Sequence, residues 1–152
     1  MKIDKVGVVG AGMMGSEIAL VMALAGKAVR LTDRDGGLLD KAMAKLGKVL
    51  DKGIERGFYQ PEDKERALAN LTPTSDIKDF SDSDMVIEAV FEDEEVKAEI
   101  FRQLDSIVPA DCILSSNTSS ISITVLSSYV SEARRAKFLG THFFSPVSRM
   151  AL

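Results

Sequence analysis

The chain has 152 residues, 45% of them hydrophobic and 28% charged, with a net charge of −4 and a pI near 5.1. That suits one soluble domain with a full core, and its acidity argues against a nucleic-acid partner, which needs a basic face. Cys112 is the sole cysteine, so no intrachain disulfide can form and a reducing, cytoplasmic setting is expected. No apolar run has the length of a membrane span, and glycines interrupt the N-terminal stretch too early for a signal peptide.

A β-branched run over Lys5–Val9 predicts the first strand, and apolar residues at helical spacing predict a helix over Met13–Ala25, closed by Gly26. Between them, Gly10-Ala11-Gly12-Met13-Met14-Gly15 has the G-x-G-x-x-G spacing. Gly10 permits the tight turn, Gly12 lets backbone approach a pyrophosphate, and Gly15 allows close helix–strand packing. The helix N-terminus then offers free N–H groups to the phosphates. A second β-run, Ala28–Thr32, ends in Asp33. An acid about 20 residues beyond such glycines is where ribose hydroxyls are held, so the loop and Asp33 together predict dinucleotide binding. The Asp33 carboxylate favours NAD, since it would repel a 2′-phosphate, while the neighbouring Arg34 keeps NADP open.

A long amphipathic helix follows over Leu38–Arg56, its apolar stripe running from Leu39 through Leu46 and Leu50 to Ile54. Lys41, Lys45, Lys48, Lys52 and Arg56 recur at spacings of three and four along one side. That ridge reads either as a solvated face or as an anion site for a phosphorylated ligand. Next come a helix from Pro61 to Ala69, a strand at Leu71–Thr74 and a connector at Asp76–Phe80 with local helical character. The apolar run Asp84–Val90 predicts a strand covered on both faces. A helix over Glu94–Val108, a strand over Cys112–Ser115, a short helix near Ile123–Tyr129 and a last strand over Phe138–Phe144 complete the pattern. Cys112 reads as a buried strand thiol rather than a nucleophile.

Alternation of strands and helices predicts an α/β fold: an open, doubly wound, mostly parallel sheet with a helical excursion after strand two. Ligands of such sheets lie at the carboxyl ends of the strands. The glycine loop, Asp33, Val90–Glu92, Asn117–Ser119 and His142–Ser145 all fall at those ends. His142, the only histidine, reads as either a structural hydrogen-bonder or a general base taking a hydroxyl proton beside a nicotinamide. Ser116-Asn117-Thr118-Ser119-Ser120 suits a substrate oxygen or the nicotinamide, and also suits an N-cap. Glu92 and Lys97 read in the first instance as a surface pair. One cysteine and one histidine do not make a metal site.

Taken together, the glycine loop with Asp33, the run Val86–Glu92, Lys97, Ser116–Ser120 and Gly140-Thr141-His142-Phe143-Phe144-Ser145-Pro146-Val147 resemble the 3-hydroxyacyl-CoA dehydrogenase family, from Val6 to the last residue. The resemblance implies a Rossmann-type NAD-binding domain of an enzyme oxidising L-3-hydroxyacyl-CoA to 3-ketoacyl-CoA, or the reverse. It implies that His142 is the catalytic base and that Ser119 stands near the substrate's 3-oxygen and the nicotinamide. It further implies that Glu92, Lys97, Asn117 and Ser145 meet the cofactor and that Lys52 and Arg56 meet CoA. Ser145 replaces the family's common asparagine. The glutamate that orients the family's histidine lies further along than Leu152, as does its helical C-terminal domain, which carries a homodimer interface. The expectation is therefore a coenzyme half, ending mid-strand, with apolar surface exposed around Phe143, Phe144 and Leu152. Other readings of the same front half are a 3-hydroxyacid or 6-phosphogluconate-type dehydrogenase and a non-catalytic NAD-binding module.

Overall fold

A computed structural model describes residues 2–150. Six strands form one sheet: β1 (Lys5–Val9), β2 (Ala28–Thr32), β3 (Leu71–Thr74), β4 (Met85–Glu88), β5 (Ile113–Ser116) and β6 (Phe138–Gly140). Their order is β3-β2-β1-β4-β5-β6, and all five pairings are parallel. The helices are α1 (Met13–Leu24), α2 (Gly36–Glu55), α3 (Pro61–Asn70), α4 (Glu94–Ile107), α5 (Ile123–Ser127) and α6 (Glu132–Arg135), with a 3-10 turn at Ile77–Phe80. Strand order reverses between β1 and β4, so the sheet has its switch point beside the glycine loop. Among the described residues no helix is long and apolar enough to cross a membrane.

The sheet separates two cores because side chains alternate along its central strands. Val6 and Val8 of β1 and Ile87 of β4 join Ile18, Leu20, Leu46 and Leu50 on the face of α1 and α2. Val9 and Val86 join Phe80, Phe101, Leu104 and Leu126 on the face of α4 and α5. Gly7 makes room for Phe80: a Cβ there would stand 3.0 Å from the ring. Helix α1 buries Ile18, Ala19, Leu20 and Ala23 around most of its girth rather than along one stripe, and Ala25 is its C-cap. Gly26, at φ 80°, sends its N–H back to Ala23 and that of Lys27 to Met22, closing the helix as the glycine required.

Three expected elements are shorter than the apolar runs that suggested them. The β4 ladder stops at Glu88, because Val90 N–H turns to the Glu88 side chain. Helix α5 stops at Ser127, and a separate turn, α6, carries Arg134. The last strand ends at Gly140 instead of Phe144. Beyond it Thr141 N–H still bonds Ser116 O, but Phe143 N–H takes the side chain of Asn117 and Phe143 turns into the α1 core. His142 therefore lies in a loop after the strand, and the described end of the chain is not within a strand. Cys112 sits one residue before β5, buried, and burial pushes its thiol up to about 11. Helix α2 starts two residues earlier than expected, with the Asp35 side chain accepting from Gly37 and Leu38 N–H.

Candidate functional site

The first part of the site is made of backbone. Gly10 adopts φ 105°, and a Cβ there would lie 2.5 Å from Ala89 O. A Cβ on Gly15 would lie 1.8 Å from Gly10 O, so the start of α1 presses directly against the turn. Gly12 differs: a Cβ there would meet nothing within 4 Å. Its bareness is unused by the protein and leaves the N-terminus of α1 open, where first-turn N–H groups have no intrahelical acceptor. Asp33 reaches across, its Oδ2 accepting from Ala11 N–H at 2.8 Å and its Oδ1 from Asp35 N–H at 3.0 Å. Glycines, helix N-terminus and carboxylate thus converge at the carboxyl edge of β1 and β2. This donor set suits a dinucleotide, with phosphates on the α1 amides and ribose hydroxyls on Asp33. Met14 is partly buried against the α1 core, while Met13 is exposed on the loop's outer side.

The second part is made of side chains at the ends of β4, β5 and β6. Ser119 Oγ and His142 Nε2 lie 2.9 Å apart, both residues exposed, and the Phe144 ring stands 4.5 Å from the imidazole, centroid to centroid. Asn117 uses its Oδ1 to hold Phe143 N–H at 2.7 Å, so part of its amide supports the histidine loop. Thr118 Oγ bonds the Glu92 carboxylate and accepts from Ile121 N–H at 3.0 Å, tying the loop after β4 to the loop after β5. Ser145 is exposed and precedes a cis proline, Pro146.

Lys97 is not half of a surface pair. Its side chain and that of Glu88 are both fully buried, with Nζ donating to Glu88 Oε1 at 2.7 Å and Glu92 further away at 3.9 Å. Sequence reasoning passed over Glu88, although one acid in a strand covered on both faces signals a buried, paired charge. Phe143, expected at the surface, is buried; Phe144 is half exposed, and Leu152 lies outside the described residues. Arg134 was also missed. Buried in α6, it donates to Asp105 and to the carbonyls of Val108, Pro109 and Cys112, closing the end of α4.

The cationic ridge divides along its helix. Lys41 and Lys45 line a groove with Gly12, Met13, Ser16 and Leu38 beside the glycine loop. Lys52 and Arg56 lie at the other end of α2, with Lys52 about 16 Å from Lys41 at 1.5 Å per residue, and are not brought to the loop. There the segment after His142 returns: Arg149 lies over the Phe58 ring at 4.6 Å.

Comparison with known proteins decides the family. The sequence model described as 3-hydroxyacyl-CoA dehydrogenase, NAD binding domain, matches residues 5–152. The chain belongs to that family. It is 44% identical over 151 residues to a 3-hydroxybutyryl-CoA dehydrogenase of Mycobacterium tuberculosis, covering 99% of this chain and 52% of that one. A fatty acid oxidation complex subunit alpha of Psychrobacter cryohalolentis is 40% identical over 99% of this chain but only 21% of its own length. The crystal structure of (S)-3-hydroxybutyryl-CoA dehydrogenase from Ralstonia eutropha superposes with a TM-score of 0.94 at 41% identity, covering 99% of this chain and 53% of that one. The chain is an NAD-binding domain, and it spans about half the length of the curated 3-hydroxybutyryl-CoA dehydrogenases it matches.

Proposed function

We propose that this chain provides the coenzyme half of an L-3-hydroxyacyl-CoA dehydrogenase, with Ser119 and His142 at the reacting carbon. The observation that carries the reading is the 2.9 Å contact of Ser119 Oγ with His142 Nε2 at the carboxyl edge of the sheet. An oxygen placed against that pair can donate its proton to the imidazole while the serine hydroxyl holds it in place. Bound NAD supplies the hydride acceptor. The α1 amides, Gly12 and Asp33 hold its phosphate and ribose groups, and Asn117 keeps the histidine loop against β5. Glu92 and Ser145 border the same edge as cofactor-side residues, with Lys97 buried beneath them and paired with Glu88, while Lys52 and Arg56 are assigned to CoA phosphates at the end of α2. The whole protein is read as a cytoplasmic homodimer joined through sequence beyond this half.

Calorimetric titration with NAD, then with acetoacetyl-CoA, tests the reading. Binding of NAD that is lost in Asp33→Ala, followed by binding of the thioester but not of free 3-hydroxybutyrate, is the expected result. Binding of the free acid in preference to the thioester points to a 3-hydroxyacid dehydrogenase instead. An unchanged turnover of the whole protein after His142→Ala would make the domain a non-catalytic NAD module.

A further inference from the structure

One buried charged cluster has no part in the proton and hydride chemistry. Glu88 ends β4, and Lys97 lies in the first turns of α4; neither side chain has accessible surface. Glu88 Oε1 accepts from Lys97 Nζ and from Val90 N–H, each at 2.7 Å. Its Oε2 accepts from Ser116 Oγ at 2.5 Å, and its main-chain oxygen accepts from Asn117 N–H at 2.8 Å. A single residue thus fastens the exit of β4, the start of α4 and the exit of β5.

Stability alone does not call for such an arrangement. Desolvating two charges is costly, and well-packed apolar residues of similar volume often serve a core equally well or better. What the pair adds is direction. The bonds run to the segments 89–92 and 116–119, and both segments lie on the β4–β5 side of the switch point. In a sheet of this strand order the adenosine half of a dinucleotide lies over β2, beside Asp33, and the other half extends over β4 and β5.

We propose that the Glu88–Lys97 pair is the positioning element for the nicotinamide half of the coenzyme. By locking segments 89–92 and 116–119 together, it fixes the floor on which the ring stands relative to Ser119 and His142. Glu88 itself touches no reacting atom. This assignment rests on the NAD-binding reading of the glycine loop and adds to it a division of labour. The glycine loop and Asp33 hold the ADP-ribose portion, and the buried pair orients the ring.

Two ligands separate the roles in this chain: ADP-ribose, which lacks the nicotinamide, and NADH, whose emission reports the surroundings of the dihydronicotinamide. Ser116→Ala removes one bond without stranding a charge, and the double variant Glu88→Gln/Lys97→Met removes the charge pair together. Both are expected to bind ADP-ribose like the wild type. Both are expected to lose the NADH emission change, with NADH affinity falling about tenfold, the lower end of what removing the groups behind a metal ligand costs. If the double variant does not fold, Ser116→Ala decides alone. Wild-type behaviour with both ligands, or a parallel loss of both, overturns the assignment in favour of a purely structural pair. A wild type that binds ADP-ribose yet leaves NADH emission unchanged overturns it too, while leaving the glycine-loop reading intact. A wild type that binds neither ligand overturns both.

Discussion

The two sides of the switch point are built from different materials. On the β1–β2 side the site consists, apart from the Asp33 carboxylate, of backbone and of atoms that are missing: Gly10 turns where a side chain cannot, Gly15 touches Gly10 O, and Gly12 leaves an opening. On the β4–β6 side it consists of side chains joined over long spans, with Ser119 and His142, Glu88 and Ser116, and Asn117 and Phe143 separated by 23, 28 and 26 residues. Asp33 apart, the first side is damaged by adding atoms, the second by removing them. On the proposed reading, the first seats what every dinucleotide has in common, and the second carries what distinguishes one reaction from another.

The sharpest way to break this comparison is Gly15→Ala. Its Cβ would stand 1.8 Å from Gly10 O, so we expect a loss of more than about 4 kcal/mol, in the class of severe backbone conflicts, measured by chemical denaturation. A stable Gly15→Ala chain that still binds NAD would undo the claim that this side is defined by absent atoms. On the other side, His142→Ala in the whole protein should lower turnover about 10²- to 10⁴-fold, the usual worth of a general base, with NAD affinity unchanged by calorimetry. Gly12→Ala sharpens the contrast within the loop. Its new methyl meets nothing, so melting should stay within about 0.5 kcal/mol of wild type, as at unconstrained surface positions, while NAD affinity falls at least about tenfold, or 1.4 kcal/mol.

The smallest effect lies away from the site, where Asp82 links the start of β1 to the middle of β2. Hydrogen bonds from Arg30 and Lys5 lower its carboxyl from 3.8 to about 2. Because the folded value lies below the unfolded one, the carboxylate stabilises the chain above pH 4 and loses that contribution as pH falls towards 2. Asp82 is half-exposed, so solvent and salt screen the pair and the gain is modest. Thermal melts of wild type and Asp82→Asn should differ at pH 5 and draw together as pH falls through 2, and added salt should narrow the gap at pH 5.

The same contrast explains what could be read from residues alone. The glycine loop, Asp33, the parallel strands and the Gly26 stop were legible because each depends on neighbours in sequence or on a local backbone demand. Motif order and spacing also placed Ser119 and His142 at strand ends and gave the family. Glu88 was hidden because its partners Lys97 and Ser116 come from two other elements. Nothing in the apolar run 84–90 says where the acid points. The early end of β6 was equally invisible, since Phe143 and Phe144 favour a strand by type. Instead the Asn117 side chain captures Phe143 N–H and the core under α1 receives the Phe143 ring. Arg134 escaped notice in a turn of four residues, where its carbonyl partners come from the end of α4.

The segment after β6 is moored rather than trailing. Phe143 and Val147 are buried in the α1 core, and Val147 N–H bonds Glu17 Oε2 on α1 at 2.9 Å. The histidine is therefore slung between two anchors, Gly140 at the sheet and Val147 at the helix whose first turn is the proposed phosphate seat. The mounting works as a gauge block: the distance from phosphate seat to imidazole is set by α1 itself, not by a free-swinging arm. Trimming the chain back to His142 would leave every strand of the sheet in place and still cast the histidine adrift.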